Sequence, residues 1–271
     1  MELTWPALAD TQHAFDAVAR TYDQENAANP LICAMRARTL SLVTAHLRPG
    51  SSLLDLGCGP GGDAEALGQL GYRVTAIDWS PGMAAQAHDR MAARGLLSRV
   101  NVRQLGIHEL DRLGSDRFDG AYSNLGPFNC VPDLGAAARA LARHIHPGGV
   151  LVASVIGRVC PWEMARYGLS GRWGRVAVRF SRQFVPVPLE GRTVWARYYF
   201  PREFSRVFAD AGFRMMSLHA LGLALPPPYL GGFHGRHPAA MRWLGRVEHR
   251  VSAWPGLRHC GDHFLIAMMR G

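Results

Sequence analysis

Leu53-Leu54-Asp55-Leu56-Gly57-Cys58-Gly59-Pro60-Gly61-Gly62-Asp63 is the stretch that decides the fold of this chain. An apolar strand runs into closely spaced glycines, and the residues from Ala64 to Leu70 then repeat with helical spacing. Glycine has no Cβ and takes positive φ, so such a turn lets a ligand lie against bare backbone where a helix begins. The next run, Tyr72-Arg73-Val74-Thr75-Ala76-Ile77-Asp78, reads as a second parallel strand ending in a carboxylate. Ligands of open α/β sheets bind at that edge, and an acid there is placed to hold a ribose diol. The pattern predicts a nucleoside-containing cofactor.

Two cofactor classes compete for these residues. Gly57, Gly59 and Gly62 satisfy G-x-G-x-x-G, the dinucleotide fingerprint of a nicotinamide-dependent oxidoreductase. Asp55 argues for the other class, because a carboxylate neutralises an ammonium group through charged hydrogen bonds and repels a pyrophosphate. Asp55-Leu56-Gly57-Cys58-Gly59-Pro60-Gly61 resembles motif I of the class I S-adenosylmethionine-dependent methyltransferases: an acid, one apolar residue, then G-x-G-x-G.

The resemblance extends over most of Phe15 to Val155 and implies a doubly wound, Rossmann-like α/β fold with a seven-stranded sheet. It implies S-adenosylmethionine as cofactor, held by Asp55, Gly57, Gly59, Gly61 and Asp78. Tyr22, from the pair Tyr22-Asp23, would close over it, and Trp79 and Met83 would flank the adenine. Family members often carry an acid after the glycine that follows strand three. Here Gly106 is followed by Ile107, so the adenine amino group would meet backbone or a neighbour instead. Asn124 ends the fourth strand, Phe118 to Asn124. The Asn124-Leu125-Gly126-Pro127-Phe128 that follows departs from the Asn-Pro-Pro-aromatic tetrapeptide of some amino-methylating enzymes.

Composition narrows the remaining choices. At 271 residues, 48% hydrophobic and 19% charged, the chain suits one globular domain. No apolar run approaches the ~20 residues of a bilayer span. The first ten residues carry no basic leader, so a cytoplasmic location is expected. The net charge of +9 comes without a single lysine, which suggests a coding bias toward arginine. The arginines nonetheless concentrate from Arg158 to Arg206, a region able to face an acidic partner or simply a solvated surface. The five cysteines are widely spaced without C-x-x-C, which argues against a disulfide frame or a zinc site. His234 and His237 stand at i, i+3 in a glycine-rich stretch without a nearby carboxylate or cysteine, so no metal is expected.

The order of elements divides a single methyltransferase domain into four parts. Residues 1–50 form an N-terminal helical cap, 51–156 the cofactor-binding core, 157–200 an aromatic and arginine-rich insertion after strand five, and 201–271 the rest of the sheet. The insertion reads as a lid over the substrate, with Trp162, Arg166, Tyr167 and Tyr199, together with Phe128, as candidate pocket residues. His108, Tyr122 and Asn129 are the candidate catalytic groups for an oxygen or nitrogen acceptor that must lose a proton. The expected function is methyl transfer to a small molecule at oxygen, nitrogen or carbon, by a monomer or homodimer without nucleic acid. An RNA or protein methyltransferase and an NAD(P)-dependent oxidoreductase are the alternatives.

Overall fold

The apolar runs become strands of one sheet: β1 (Ser52–Leu56), β2 (Arg73–Asp78), β3 (Val100–Gln104), β4 (Phe118–Ser123) and β5 (Ile145–Ile156). The computed structural model describes residues 5–228 and 236–271. A hairpin, β6 (Val185–Leu189) and β7 (Arg192–Ala196), stands apart from the sheet, and β8 (Phe213–Leu221) and β9 (His263–Arg270) complete it. The sheet has seven strands in the order β3-β2-β1-β4-β5-β9-β8. Neighbours from β3 to β5 are parallel, and β9 runs antiparallel between β5 and β8. The chain winds outward in one direction from β1 and then in the other, so a crevice opens beyond the carboxyl ends of β1 and β4.

Helices cover both faces, which is why the strands read as nearly unbroken apolar runs. Successive side chains of β1 point to opposite sides. Leu53 joins Val43 of α2 (Pro30–His46), Leu67 of α3 (Gly62–Gln69) and Met91 of α4 (Pro81–Ala93). Leu54 and Leu56 join Leu141 of α5 (Leu134–His144) and two phenylalanines, Phe204 and Phe208, of α8 (Pro201–Asp210). Local sequence starts these helices: Asn29 accepts from the Leu31 and Ile32 amides ahead of α2, and Ser80 accepts from the Met83 amide ahead of α4. The first helix, α1 (Trp5–Ala27), begins before the Thr11 that its periodicity suggested and lies across the carboxyl edge of the sheet. No described helix is long and apolar enough to cross a membrane.

The segment after β5 departs most from expectation. It holds two short helices, α6 (Pro161–Leu169) and α7 (Trp173–Val178), followed by the β6–β7 hairpin. Glu190 and Gly191 turn the hairpin with φ of 46° and 78°, the two positive values that a tight two-residue turn requires. Three of the segment's arginines are used internally. Arg158 is buried beneath Phe200, donating to the Phe180 carbonyl at 2.8 Å and pairing with Glu203, which also binds Arg197. Arg179 is buried and ties α6 to the sheet. It reaches Glu163 through Nε at 2.5 Å and Nη2 at 2.9 Å, Asp262 Oδ1 at 2.6 Å, and the Gly157 carbonyl at 2.9 Å. Burial alone would lower the Arg179 pKa, but Asp262 and Glu163 outweigh it and hold the guanidinium firmly charged. Asp262 in turn stays ionised despite burial, because His263 and Arg179 sit beside it.

The remaining helix, α9 (Pro238–Val251), packs through Glu248, whose carboxylate accepts the Gly222, Ala224 and Leu225 amides. Of the two histidines weighed for metal, His234 lies outside the described residues. Removing one partner of a buried ion pair strands the other charges, which costs about 3–5 kcal/mol. Arg179→Ala is therefore expected to lower the unfolding free energy by about that amount in urea titrations, and a loss below about 1 kcal/mol would contradict the role given to this cluster.

Candidate active site

The crevice holds a cavity of about 310 Å³, within the range of small-molecule sites. Its floor is the carboxyl edge of the sheet: Asp55, Gly57, Cys58, Gly59 and Pro60 from the first strand and turn, Asp78 from β2, and Asn124 to Pro127 after β4. α1 supplies the roof through Thr11, Gln12, Phe15 and Tyr22. The outer wall is the hairpin, with Val187, Pro188, Leu189, Val194 and Ala196, continued by Tyr198.

Glycine is required at the first turn. Gly57 has φ of +79°, and a Cβ there would lie 2.5 Å from that of Pro127. Gly59 has φ of +54° and nothing within 4 Å of where its Cβ would stand, so this backbone faces open cavity. Gly61 and Gly106 serve the scaffold instead. Gly61 caps α3 against Ala87, and the Gly106 amide donates to Glu109 Oε2 at 2.9 Å.

The electrostatics of the floor are lopsided. Asp55 is 2% exposed, and its Oδ2 accepts one hydrogen bond, from Tyr122 Oη at 2.8 Å. Burial raises its pKa well above the usual carboxylate range. The charge of Asp63 adds to that rise, and the Tyr122 bond opposes it. Asp63 is held by Arg36 Nε at 3.0 Å and Asn124 Nδ2 at 2.9 Å, and Thr39 Oγ1 donates to Asn124 Oδ1 at 2.9 Å. Asp78 accepts the Gly59 amide at 2.8 Å and the Ser80 amide at 2.9 Å. Burial nevertheless raises its pKa to about 6. Three carboxylates thus line the cavity with one guanidinium, that of Arg36, which is bound to Asp63. A cationic group fits beside Asp55, whereas a pyrophosphate would add to the excess negative charge.

Beyond Asp78 the cavity is bounded by Trp79, Met83, Leu105, Ile107 and His108. His108 meets the Trp79 ring edge-on at 4.8 Å, and burial lowers its pKa. The roof is fastened to this end. Gln12 Nε2 donates to the Trp79 carbonyl at 2.9 Å, Asp16 Oδ1 accepts the Gly82 amide at 2.6 Å, and Arg90 pairs with both Asp23 and Glu65.

Tyr22, Asp55, Gly57, Gly59, Asp78, Trp79, Met83, Ile107, His108 and Asn124 therefore come together around one cavity. Tyr122 and Asn129, expected as catalytic groups, do not: both are fully buried. Tyr122 is committed to Asp55, and burial raises its pKa far above that of a usable base. Asn129 binds the Ile156 and Arg197 carbonyls at 3.0 and 2.7 Å and the Ile156 amide at 2.9 Å, which joins the hairpin to the sheet. Phe128 and Tyr199, expected in the substrate pocket, belong to an aromatic core with Phe204, their rings 5.6 and 6.0 Å from it.

Trp162, Arg166 and Tyr167 sit on α6, outside the cavity lining. Trp162 Nε1 donates to the Ala224 carbonyl at 3.2 Å, and Arg166 lies over the Tyr167 ring at 5.8 Å. The hairpin, which takes their place, had a signal of its own: two alternating Val-containing runs about Glu190-Gly191. Arg36 and Asp63 had none, since their pairing joins two elements distant in the chain.

A family described as "Methyltransferase domain" matches residues 53–149. The ubiquinone biosynthesis O-methyltransferase of Alkalilimnicola ehrlichii is 30% identical over 210 residues, covering 76% of this chain and 79% of that protein. The chain belongs to the class I S-adenosylmethionine-dependent methyltransferases. It is an enzyme, and S-adenosylmethionine is its cofactor. The malonyl-[acyl-carrier protein] O-methyltransferase of Pseudescherichia vulneris is 28% identical over 247 residues, 89% of this chain and 88% of that one. Among solved structures, 1,6-didemethyltoxoflavin-N1-methyltransferase of Burkholderia thailandensis shares the fold with a TM-score of 0.59, 18% identity, and coverage of 97% of this chain and 88% of that chain. The nicotinamide reading of the glycine loop is thereby set aside.

Gly57→Ala is expected to destabilise this methyltransferase by about 2–4 kcal/mol, combining left-handed backbone strain with the overlap on Pro127. Thermal and urea unfolding test it, and a variant as stable as wild type would mean that the Pro127 turn yields without cost.

Proposed function

We propose that the enzyme methylates a small, largely apolar acceptor that enters beside the hairpin. The observation that carries this reading is the division of one cavity: its charged residues lie along the sheet edge, while the hairpin wall is apolar. In this reading Asp55 receives the ammonium of the cofactor. Its Oδ1 accepts from no described residue and is not sealed away from the cavity. The open backbone at Gly59 lets the cofactor lie close, Asp78 accepts from the ribose hydroxyls, and Trp79, Met83, Ile107 and His108 enclose the adenine. His108 then stands at the far side of the ribose acid from the amino-acid end and serves binding rather than proton removal.

When bound, S-adenosylmethionine supplies a methyl group on a sulfonium, which an acceptor in line with the carbon–sulfur bond displaces. The chain's own residues align the reactants and keep water out. Tyr22 and Phe15 cover the cofactor from α1, and the hairpin confines the acceptor. The functional lid is thus the β6–β7 hairpin with α1, not the aromatic helix α6. The names of the relatives support a small or carrier-borne acceptor at oxygen. A nucleic-acid substrate is disfavoured because Arg158, Arg179 and Arg197 are engaged in internal ion pairs.

Calorimetry with S-adenosylhomocysteine should show saturable binding and none with NADH. Asp78→Ala should weaken S-adenosylhomocysteine by roughly 1.5–3 kcal/mol, the value of hydrogen bonds to a charged acceptor. Asp78 must be ionised to accept from two hydroxyls, yet burial lifts its pKa to about 6. Affinity should therefore decline as pH is lowered through about 6, with a proton released on binding in that range. An Asp78→Asn variant should lose this pH dependence, and an unchanged profile would refute the ribose assignment.

A further inference from the structure

Among the described polar side chains that line the cavity, Tyr198 stands two residues beyond the end of β7. Its ring is sandwiched against Arg179, whose guanidinium lies 5.1 Å from the ring centroid. Arg179 is itself locked by Glu163 and Asp262, so the Tyr198 ring stands on a rigid base. The phenol donates to no described residue and is not among the sealed, unpartnered polar atoms, so it is open to a ligand. The same cavity is lined by the apolar groups Val194, Ala196, Ile156 and Val131, and by the Cys130 thiol, which burial pushes up to about 12 and so keeps neutral.

Among the described residues, none at this wall serves as a general base. Asp55, Asp63 and Asp78 are each engaged on the floor, by Tyr122, by Arg36 and Asn124, and by two backbone amides respectively. His108 packs edge-on against the Trp79 ring. Burial raises the Tyr198 pKa despite the nearby Arg179, so its phenol remains a donor at neutral pH. An alcohol, an amine cation or an ordinary phenol would have to lose a proton that no described residue at this wall takes. A carboxylic acid has already lost its proton at neutral pH.

Resting on the methyltransferase reading of the cavity, we infer that the acceptor is an apolar carboxylate, and that Tyr198 binds one of its oxygens while the other attacks. The carboxylate oxygen forms the new bond to the methyl carbon with its own electron pair. The carbon–sulfur bond breaks with its pair passing to sulfur, the sulfonium becomes a neutral thioether, and a methyl ester leaves with no proton transferred. The apolar wall suits such an acceptor, because the negative charge is paired with the sulfonium rather than with solvent.

Hexanoate, hexylamine and hexan-1-ol serve as probes, titrated by calorimetry into protein saturated with sinefungin, whose ammonium group stands in for the sulfonium. Hexanoate is expected to bind saturably, and at least tenfold more tightly than the other two. Tyr198→Phe keeps the ring on Arg179 and removes the hydroxyl. It should weaken hexanoate roughly tenfold or more, leaving S-adenosylhomocysteine affinity and melting temperature unchanged. With methyl-labelled S-adenosylmethionine, label should appear as a base-labile ester. Preference for the amine or the alcohol, equal hexanoate affinity in the variant, or no carboxylate binding by protein that does bind sinefungin would each overturn the inference. Failure of S-adenosylhomocysteine itself to bind would instead overturn the cofactor site beneath it.

Discussion

A carboxylate buried at the end of β1 is the constraint on which the rest of the site depends. Asp55 is almost without exposure and has a single tyrosine hydrogen bond in its favour, with a second carboxylate nearby. An arrangement of this kind is unfavourable in isolation, since burial disfavours the charged form and Asp63 adds to the penalty. It makes sense as a socket for a cation. The binding energy of an ammonium ligand is then realised against a group that the fold has already desolvated and oriented, with Tyr122 fixing its position from the next strand.

The roof and the wall solve a different problem. A cofactor lying on an open sheet edge would leave the reacting carbon in water. α1 is drawn over the crevice by polar contacts with the start of α4, where Asp16 and Gln12 meet Ser80, Trp79 and Gly82. The hairpin is then fastened to α1 through the Trp195 amide and Thr11 Oγ1 at 3.0 Å, and to the sheet through Asn129. The Arg179 cluster holds the neighbouring helix to β9, so the wall rests on buried charge pairs as well as apolar contact. Three of the eight arginines between residues 157 and 200 are used internally in this way, which leaves fewer of them to attract an acidic partner.

Much of this was readable along the chain. The strand–glycine–helix unit at Leu53 to Leu70, the acid ending β2 and the apolar periodicity of the remaining strands follow from local rules, since backbone conformation and strand alternation act over a few residues. The sheet-edge residues that line the cavity were legible for the same reason: Asp55, Gly57, Gly59, Asp78 and Asn124 sit at strand ends or in the turns after them. Roles that depend on partners far along the chain were not. Tyr122 and Asn129 look like catalytic groups until Asp55 and the Arg197 carbonyl are seen to occupy them. Trp162 and Tyr167 look like a pocket lining until α6 is seen outside the cavity.

The primary structure on its own thus specified the fold class, the cofactor and the sheet-edge residues that line the cavity, because those are properties of short segments with stereotyped geometry. Tertiary structure alone decided which side chains wall the cavity. The choice between α6 and the β6–β7 hairpin as the wall turns on where Arg179, Glu163 and Asp262 close their buried network. Those three positions are brought together only when the insertion folds back onto β9.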